Sequence, residues 1–140
     1  MIVVLEDQPE RVAWLRELVG DWHEVRHAPT VTGFFDLLTA PPVLTILDHD
    51  LGGVPTGSRV PSAGADGLTG LDACERMPPL EWPVLVWSVN PVRAPLMVST
   101  LRRRGVARGT WVRWAPFGTS ECGALIGQAL AWAAGRDGAR

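Results

Sequence analysis

The sequence contains no lysine and no tyrosine, so all thirteen basic residues are arginine. Without lysine, the chain has no residue for Schiff-base chemistry, for the lysine of a phosphate-binding loop or for a lysine general base. It has only two cysteines, Cys74 and Cys122, which do not form a CxxC pair. Two isolated cysteines are typical of a reducing compartment and argue against a zinc site built on thiolates. We therefore expect a cytoplasmic protein.

Long hydrophobic runs and a strong charge imbalance are also absent. No apolar run approaches the ~20 residues needed to cross a bilayer, and no basic segment of the signal-peptide type precedes the first apolar run. The net charge is −2, which gives no support to broad nucleic-acid binding. The length of 140 residues, with 46% hydrophobic and 20% charged residues, suits one folded domain. We expect a single domain over 1–140 with no membrane partner.

Short apolar runs alternate along the chain with segments of helical periodicity. In the first helical segment, Val12, Leu15 and Val19 share one face. The apolar runs have the length of buried parallel strands; they are Ile2–Leu5, Val43–Leu47, Val84–Trp87 and Trp111–Trp114, with a weaker strand pattern at Glu24–His27. With right-handed crossovers, this alternation predicts an α/β fold: a three-layer, doubly wound (βα)5 parallel sheet of order 2-1-3-4-5, the flavodoxin-like arrangement.

Three of the predicted helices begin with capping signals. Asp7 stands three residues before Glu10, and Thr69 stands three residues before Asp72, as in capping boxes. Asn90 directly precedes a proline, which predicts an N-cap for the fourth helix.

One connection is much longer than the others. Residues 52–67 lie between the third strand and the third helix and contain five glycines, two prolines and two serines. Connections of this kind usually take about two to six residues, so this segment is an insertion. It is interpreted either as a floppy surface loop or as a lid over the neighbouring strand end.

Polar residues follow the predicted strands 1, 3 and 4. In the order 2-1-3-4-5 these carboxyl ends meet at one edge, where open α/β sheets bind ligands. The residues are Glu6 and Asp7 after strand 1, Asp48, His49 and Asp50 after strand 3, and Ser88 and Asn90 after strand 4.

The negative charges of the carboxylates in this group must be balanced by protons or by a cation. Two carboxylates ~5 Å apart repel by about 3 kcal/mol at an effective dielectric constant of ~20, so the group takes up protons or holds a hard cation. There is no lysine to neutralise them, and we expect the arginines to lie mostly elsewhere. The sequence therefore predicts Mg²⁺ or Mn²⁺ held by Asp7, Asp48 and at least one of Glu6 and Asp50. Asp50 either joins the metal or orients His49.

These residues resemble those of response-regulator receiver domains. Glu6, Asp7, Asp48 and Ser88 match the receiver pattern position for position. The resemblance implies that the three acidic residues hold Mg²⁺ and that Asp48 accepts a phosphoryl group. Receivers also carry a lysine before a proline after strand 5, typically in a cis bond. Here that position is Ala115, so the resemblance implies a cis Ala115–Pro116 bond without the lysine.

A more specific pattern is similar to that of cyclic-phosphate processing receiver-like domains. It runs along most of the chain and comprises LED at 5–7 with PER at 9–11, LDHDLG at 47–52, Thr69-Gly70, SVNPV at 88–92 with Met97, and Pro116-Phe117. The resemblance implies an activity on cyclic phosphates. The chain departs from the pattern at Trp87, where the family usually carries histidine. His49 is therefore the remaining imidazole expected at this edge.

The first functional hypothesis is a domain that binds or hydrolyses a small cyclic phosphate or nucleotide. Asp48, His49 and Ser88 are its candidate catalytic residues, and His49 would act as general acid or base. Ser88, Asn90 and Arg93 would hold phosphate oxygens. Strand alternation turns His49 away from Asp48, unless the chain turns early at Asp48. The sequence leaves open whether the domain is an enzyme at all.

Two alternatives remain. One is a non-catalytic pseudo-receiver that contacts a protein partner through some of the seven tryptophans or the basic segment Arg102–Arg104. The other is an atypical response regulator that is phosphorylated on Asp48 without a lysine.

Overall fold

The computed structural model describes residues 1–52, 63–104 and 111–138. Its strands are all parallel and form one sheet in the order β2-β1-β3-β4-β5. This confirms the predicted fold class. The elements are β1 (Ile2–Leu5), α1 (Pro9–Val19), a 3-10 turn (Gly20–Trp22), β2 (Val25–Ala28), α2 (Val31–Leu37), β3 (Leu44–Leu47), α3 (Gly70–Arg76), β4 (Val84–Val86), α4 (Arg93–Arg103), β5 (Val112–Trp114) and α5 (Ser120–Gly138).

Alternation along the strands divides the core into two halves. Ile2 and Val4 of β1 pack with α1 and α5, whereas Val3 and Leu5 pack with α2, α3 and α4. All four side chains are fully buried, which explains why β1 reads as a continuous apolar run. The helices thus form outer layers on both faces of the sheet.

The helix starts agree fully with the predicted caps at one position of three. Thr69 and Asp72 form the predicted capping box of α3. The helix α4 begins at Arg93 with Val92 as its N-cap residue, two residues later than predicted, and Asn90 Oδ1 accepts hydrogen bonds from two backbone N–H groups in the turn that leads into it. The predicted cap at Asp7 is wrong, because α1 begins at Pro9 and its N-cap residue is Gln8. Asp7 is thereby free to join the strand-end cluster.

The predicted cis bond between Ala115 and Pro116 is also wrong, since all peptide bonds in the described ranges are trans. The backbone N–H of Ala115 donates to the Val86 carbonyl oxygen at 3.1 Å, and that of Phe117 donates to Trp87 at 2.8 Å. The chain therefore continues alongside β4 on both sides of Pro116, as an extended trans backbone allows.

Most of the predicted insertion, residues 53–62, lies outside the described residues. Its interpretation as a loop or as a lid therefore stays a prediction. Its final part is attached to α2. Asp66 Oδ2 accepts hydrogen bonds from the backbone N–H and the hydroxyl of Thr32, each at 2.9 Å. None of the described helices combines the length and the hydrophobicity needed to cross a membrane.

Candidate functional site

Three carboxyl groups meet where β1 and β3 end. The two strands pair with Leu5 opposite Leu47, so the residues that follow each strand come side by side. Glu6, Asp7 and Asp48 each place one carboxylate oxygen within 4.8 Å of the others. Asp50 lies outside this group.

Glu6 and Asp48 are the buried members of the cluster, at 0% and 2% exposure. Burial, followed by the negative charge of Asp48, raises the pKa of Glu6 to about 9. Burial also raises the pKa of Asp48, to about 6. The interaction between the two side chains raises the pKa of Glu6 further and lowers that of Asp48. Near neutral pH the pair therefore shares one proton and carries one negative charge.

The positive charge beside this pair comes from Arg11 in the first turn of α1. Arg11 Nη1 lies 3.8 Å from Glu6 Oε2 and 3.8 Å from Asp48 Oδ2. The expectation that the arginines lie elsewhere is wrong for this residue. The sequence held one signal for it, because Arg11 belongs to the stretch Pro9–Arg11 that follows the acidic pair and forms part of the receiver-like pattern.

An aromatic cluster of Trp14, Trp87 and Phe117 lies next to Glu6. Trp87 is fully buried and its Nε1–H donates a hydrogen bond to Glu6 Oε2 at 3.0 Å. The ring of Phe117 lies 5.1 Å from those of Trp14 and Trp87, in edge-to-face geometry with both. An indole N–H donates a hydrogen bond but does not titrate near neutral pH. Trp87 therefore holds the Glu6 carboxyl in place and is not an acid–base group.

His49 is buried, at 1% exposure, and its Nδ1 lies 3.0 Å from Asp50 Oδ1. Asp50 thus contacts the imidazole, as expected if its role is to orient His49. The start of α3 packs against the backbone here: the Gly70 N–H donates to the His49 carbonyl oxygen at 3.1 Å. A Cβ at Gly70 would lie 2.7 Å from the carbonyl carbon of Asp48 and closer still to its oxygen. Only glycine fits this contact.

The polar residues after β4 are tied to one another. Ser88 is fully buried, and its Oγ accepts a hydrogen bond from the Asn90 backbone N–H at 3.1 Å. Asn90 Oδ1 accepts from the backbone N–H groups of Val92 and Arg93, at 3.1 and 3.0 Å. The guanidinium of Arg93 makes no ion pair with a carboxylate in the described ranges. The phosphate-binding roles of Ser88, Asn90 and Arg93 stay predictions.

Solved structures of receiver domains resemble this fold over nearly its whole length. The receiver domain of NtrX from Brucella abortus is 23% identical, with a TM-score of 0.57 over 94% of this chain and 98% of that one. The N-terminal domain of a response regulator/sensory box/GGDEF 3-domain protein from Carboxydothermus hydrogenoformans is 16% identical, with a TM-score of 0.61 over 96% and 97%. A CheY-like receiver domain from Methylobacillus flagellatus is 12% identical, with a TM-score of 0.55 over 92% and 96%.

No family model matches the sequence, and no curated protein matches it significantly. At these identities the structural likeness shows the fold alone. The chain has the fold of response-regulator receiver domains and carries an acidic cluster at the carboxyl edge of its sheet.

Proposed function

We propose that this receiver-like domain binds a divalent cation, Mg²⁺ or Mn²⁺, at Glu6, Asp7 and Asp48 and a small phosphorylated ligand beside it. The observation that carries the proposal is Asp7 Oδ1. This oxygen is buried and has no hydrogen-bond partner in the described part of the chain. A buried carboxylate oxygen without a donor is costly, and a cation shared with Glu6 and Asp48 would satisfy it.

The donor set suits these ions. All three side chains offer carboxylate oxygens, the ligands that Mg²⁺ and Mn²⁺ prefer over nitrogen or sulfur. Bound at this position, such an ion would neutralise negative charge on a phosphoryl group. Because the proton on Glu6 competes with a cation for the same oxygen, affinity should rise with pH.

Calorimetric titration with Mn²⁺ tests the cation site. The wild type should bind one ion, and Asp7→Asn and Asp48→Asn should each weaken binding by about tenfold or more, the equivalent of about 1.4 kcal/mol. Asp36→Asn is a matched control, because Asp36 is exposed on α2. Absence of binding by the wild type, or equal affinity in the wild type and Asp7→Asn, would contradict the proposal.

The ligand class follows from the resemblance to cyclic-phosphate processing domains and is a separate part of the proposal. Ser88 supports it, because its oxygen accepts one hydrogen bond while its own proton can still be donated. A thermal-shift screen of cyclic nucleotides and cyclic-phosphate sugars, with and without Mn²⁺, tests binding. If a ligand is hydrolysed, His49→Ala should abolish turnover and leave Mn²⁺ affinity unchanged. Unchanged turnover would make His49 structural.

A second candidate function is a pseudo-receiver that acts through protein contacts. It is favoured because the protein itself supplies partners for the acidic cluster. Arg11 lies beside both buried carboxyl groups, and Trp87 donates a hydrogen bond to Glu6. A wild-type protein that binds no Mn²⁺ would favour this function. The phospho-accepting alternative is tested separately, by treating the protein with acetyl phosphate and looking for the modification at Asp48 by mass spectrometry.

A further inference from the structure

Arg11 is paired with two carboxyl groups without being hydrogen-bonded to either. Both of its ion-pair distances are 3.8 Å, well beyond the 2.7–2.9 Å or so of a charge-assisted hydrogen bond. Its side chain donates no hydrogen bond to another described residue. Towards the described residues, the N–H donors of the guanidinium are therefore not used in hydrogen bonds, although its charge already lies at the edge of the sheet.

The position of this guanidinium is fixed by packing. Its central carbon lies 4.8 Å from the centroid of the Phe117 ring, and that ring is held by edge-to-face contacts with Trp14 and Trp87. The Arg11 side chain is 15% exposed. An ordinary surface arginine loses much side-chain entropy when it binds a ligand, whereas most of that ordering is already present here.

We propose that Arg11 binds the anionic oxygens of the phosphoryl ligand at this site. The inference rests on the proposed function, since it assumes that a phosphorylated ligand enters beside the acidic cluster. The chain has no lysine, so a cationic side chain that contacts the ligand must be an arginine or a histidine. The planar fork of a guanidinium matches the geometry of phosphate oxygens.

The arrangement also explains how one arginine serves both acids and an anion. A divalent cation shared by the three carboxylates of Glu6, Asp7 and Asp48 leaves one negative charge uncompensated. The guanidinium of Arg11, within 4 Å of two members of the cluster, balances that charge. With the cation bound, the site carries no net negative charge, so an anion can contact both the cation and Arg11 without net repulsion.

The test compares two probes, Mn²⁺ and inorganic phosphate, on the same proteins. Mn²⁺ affinity is measured by calorimetry. Phosphate is then titrated into the Mn²⁺-saturated protein and followed by tryptophan fluorescence, since Trp14 and Trp87 contact the ring beneath Arg11. The variants are Arg11→Gln and Arg11→Lys, with Arg76→Gln, an exposed position in α3, as the control.

Arg11→Gln should weaken phosphate binding by about tenfold, the equivalent of one charged hydrogen bond, while Mn²⁺ affinity stays equal or increases because a nearby positive charge is removed. Arg11→Lys should show a smaller loss, since it keeps the charge without the fork. Arg76→Gln should match the wild type.

Two results overturn the inference and leave the cation site standing: Mn²⁺ binding without phosphate binding in the wild type, or wild-type phosphate affinity in Arg11→Gln. If both Arg11 variants lose Mn²⁺ and phosphate affinity in parallel, Arg11 is structural and the inference is likewise overturned. Failure of the wild type to bind Mn²⁺ overturns the proposed function itself.

Discussion

The buried Glu6–Asp48 pair makes the stability of the domain depend on pH in a definite direction. The pKa of Glu6 is raised from 4.5 to about 9 in the folded protein. Between these values the unfolded chain loses its Glu6 proton while the folded chain keeps it. Each rise in pH through this window therefore favours the unfolded state, and the free energy of unfolding should decrease.

The size of the effect follows from proton linkage. One proton held only by the folded state changes the free energy of unfolding by about 1.4 kcal/mol per pH unit. The raised pKa of Asp48 acts in the same direction below its folded value of about 6. Between about pH 6 and about pH 8, the metal-free wild type should lose about 1–3 kcal/mol.

Urea unfolding with EDTA present measures this loss. Glu6→Gln replaces the neutral acid with a neutral amide of similar shape, so most of the pH dependence in this window should disappear. Glu17→Gln is the matched control, because Glu17 is exposed on α1, and it should keep the wild-type slope. Equal slopes in the wild type and Glu6→Gln, or a wild-type stability that rises over this window, would refute the reasoning.

Three further predictions concern packing and local contacts, each measured by urea unfolding. Gly70→Ala should destabilise the domain by several kcal/mol, because the new Cβ meets the backbone at Asp48. The control Gly123→Ala, in open space on α5, should stabilise the domain by about 0.5–1 kcal/mol. Similar effects at both sites would contradict the close contact. Trp87→Phe should cost about 1–3 kcal/mol, because it leaves the buried Glu6 carboxyl without its indole donor, and a change within experimental error would show that this hydrogen bond contributes little. Asp66→Ala should cost about 1 kcal/mol through its lost hydrogen bonds to α2, and an unchanged midpoint would show that the attachment is dispensable.

The parallel sheet could be predicted because burial on both faces leaves a simple pattern in the sequence, and the strand order was that of the common flavodoxin-like arrangement. The run Ile2–Leu5 is fully buried, and four consecutive apolar residues are typical of a strand with helices on both sides. The observed ends of four strands differ by one residue from the predicted ends. Thus β4 ends at Val86, while the backbone N–H of Trp87 still donates to the neighbouring Leu47.

The acidic part of the site could also be predicted, because adjacent parallel strands bring their carboxyl ends together. Glu6, Asp7 and Asp48 needed only the strand order to be placed. Arg11 did not follow from strand order. Its contact depends on the rotation of α1 about its axis and on which face of the sheet that helix covers, and both are set by packing.

Other features depend on contacts between distant segments. The hydrogen bond from Trp87 to Glu6 joins residues 81 positions apart, and no local sequence pattern predicts it. The bond before Pro116 is trans, and the residues on either side of it donate hydrogen bonds to β4 and to Trp87. The resemblance to receivers implied the opposite isomer, although this chain lacks the lysine of that motif.

Anomalous diffraction from crystals grown with Mn²⁺ tests the central claim most directly. The account predicts one strong peak at the carboxyl edge of the sheet, with oxygens of Asp7 and Asp48 at coordination distance, about 2 Å. The same crystals should show the Arg11 guanidinium still packed on the Phe117 ring. A map with no peak at this edge would contradict the claim that the acidic cluster is a cation site.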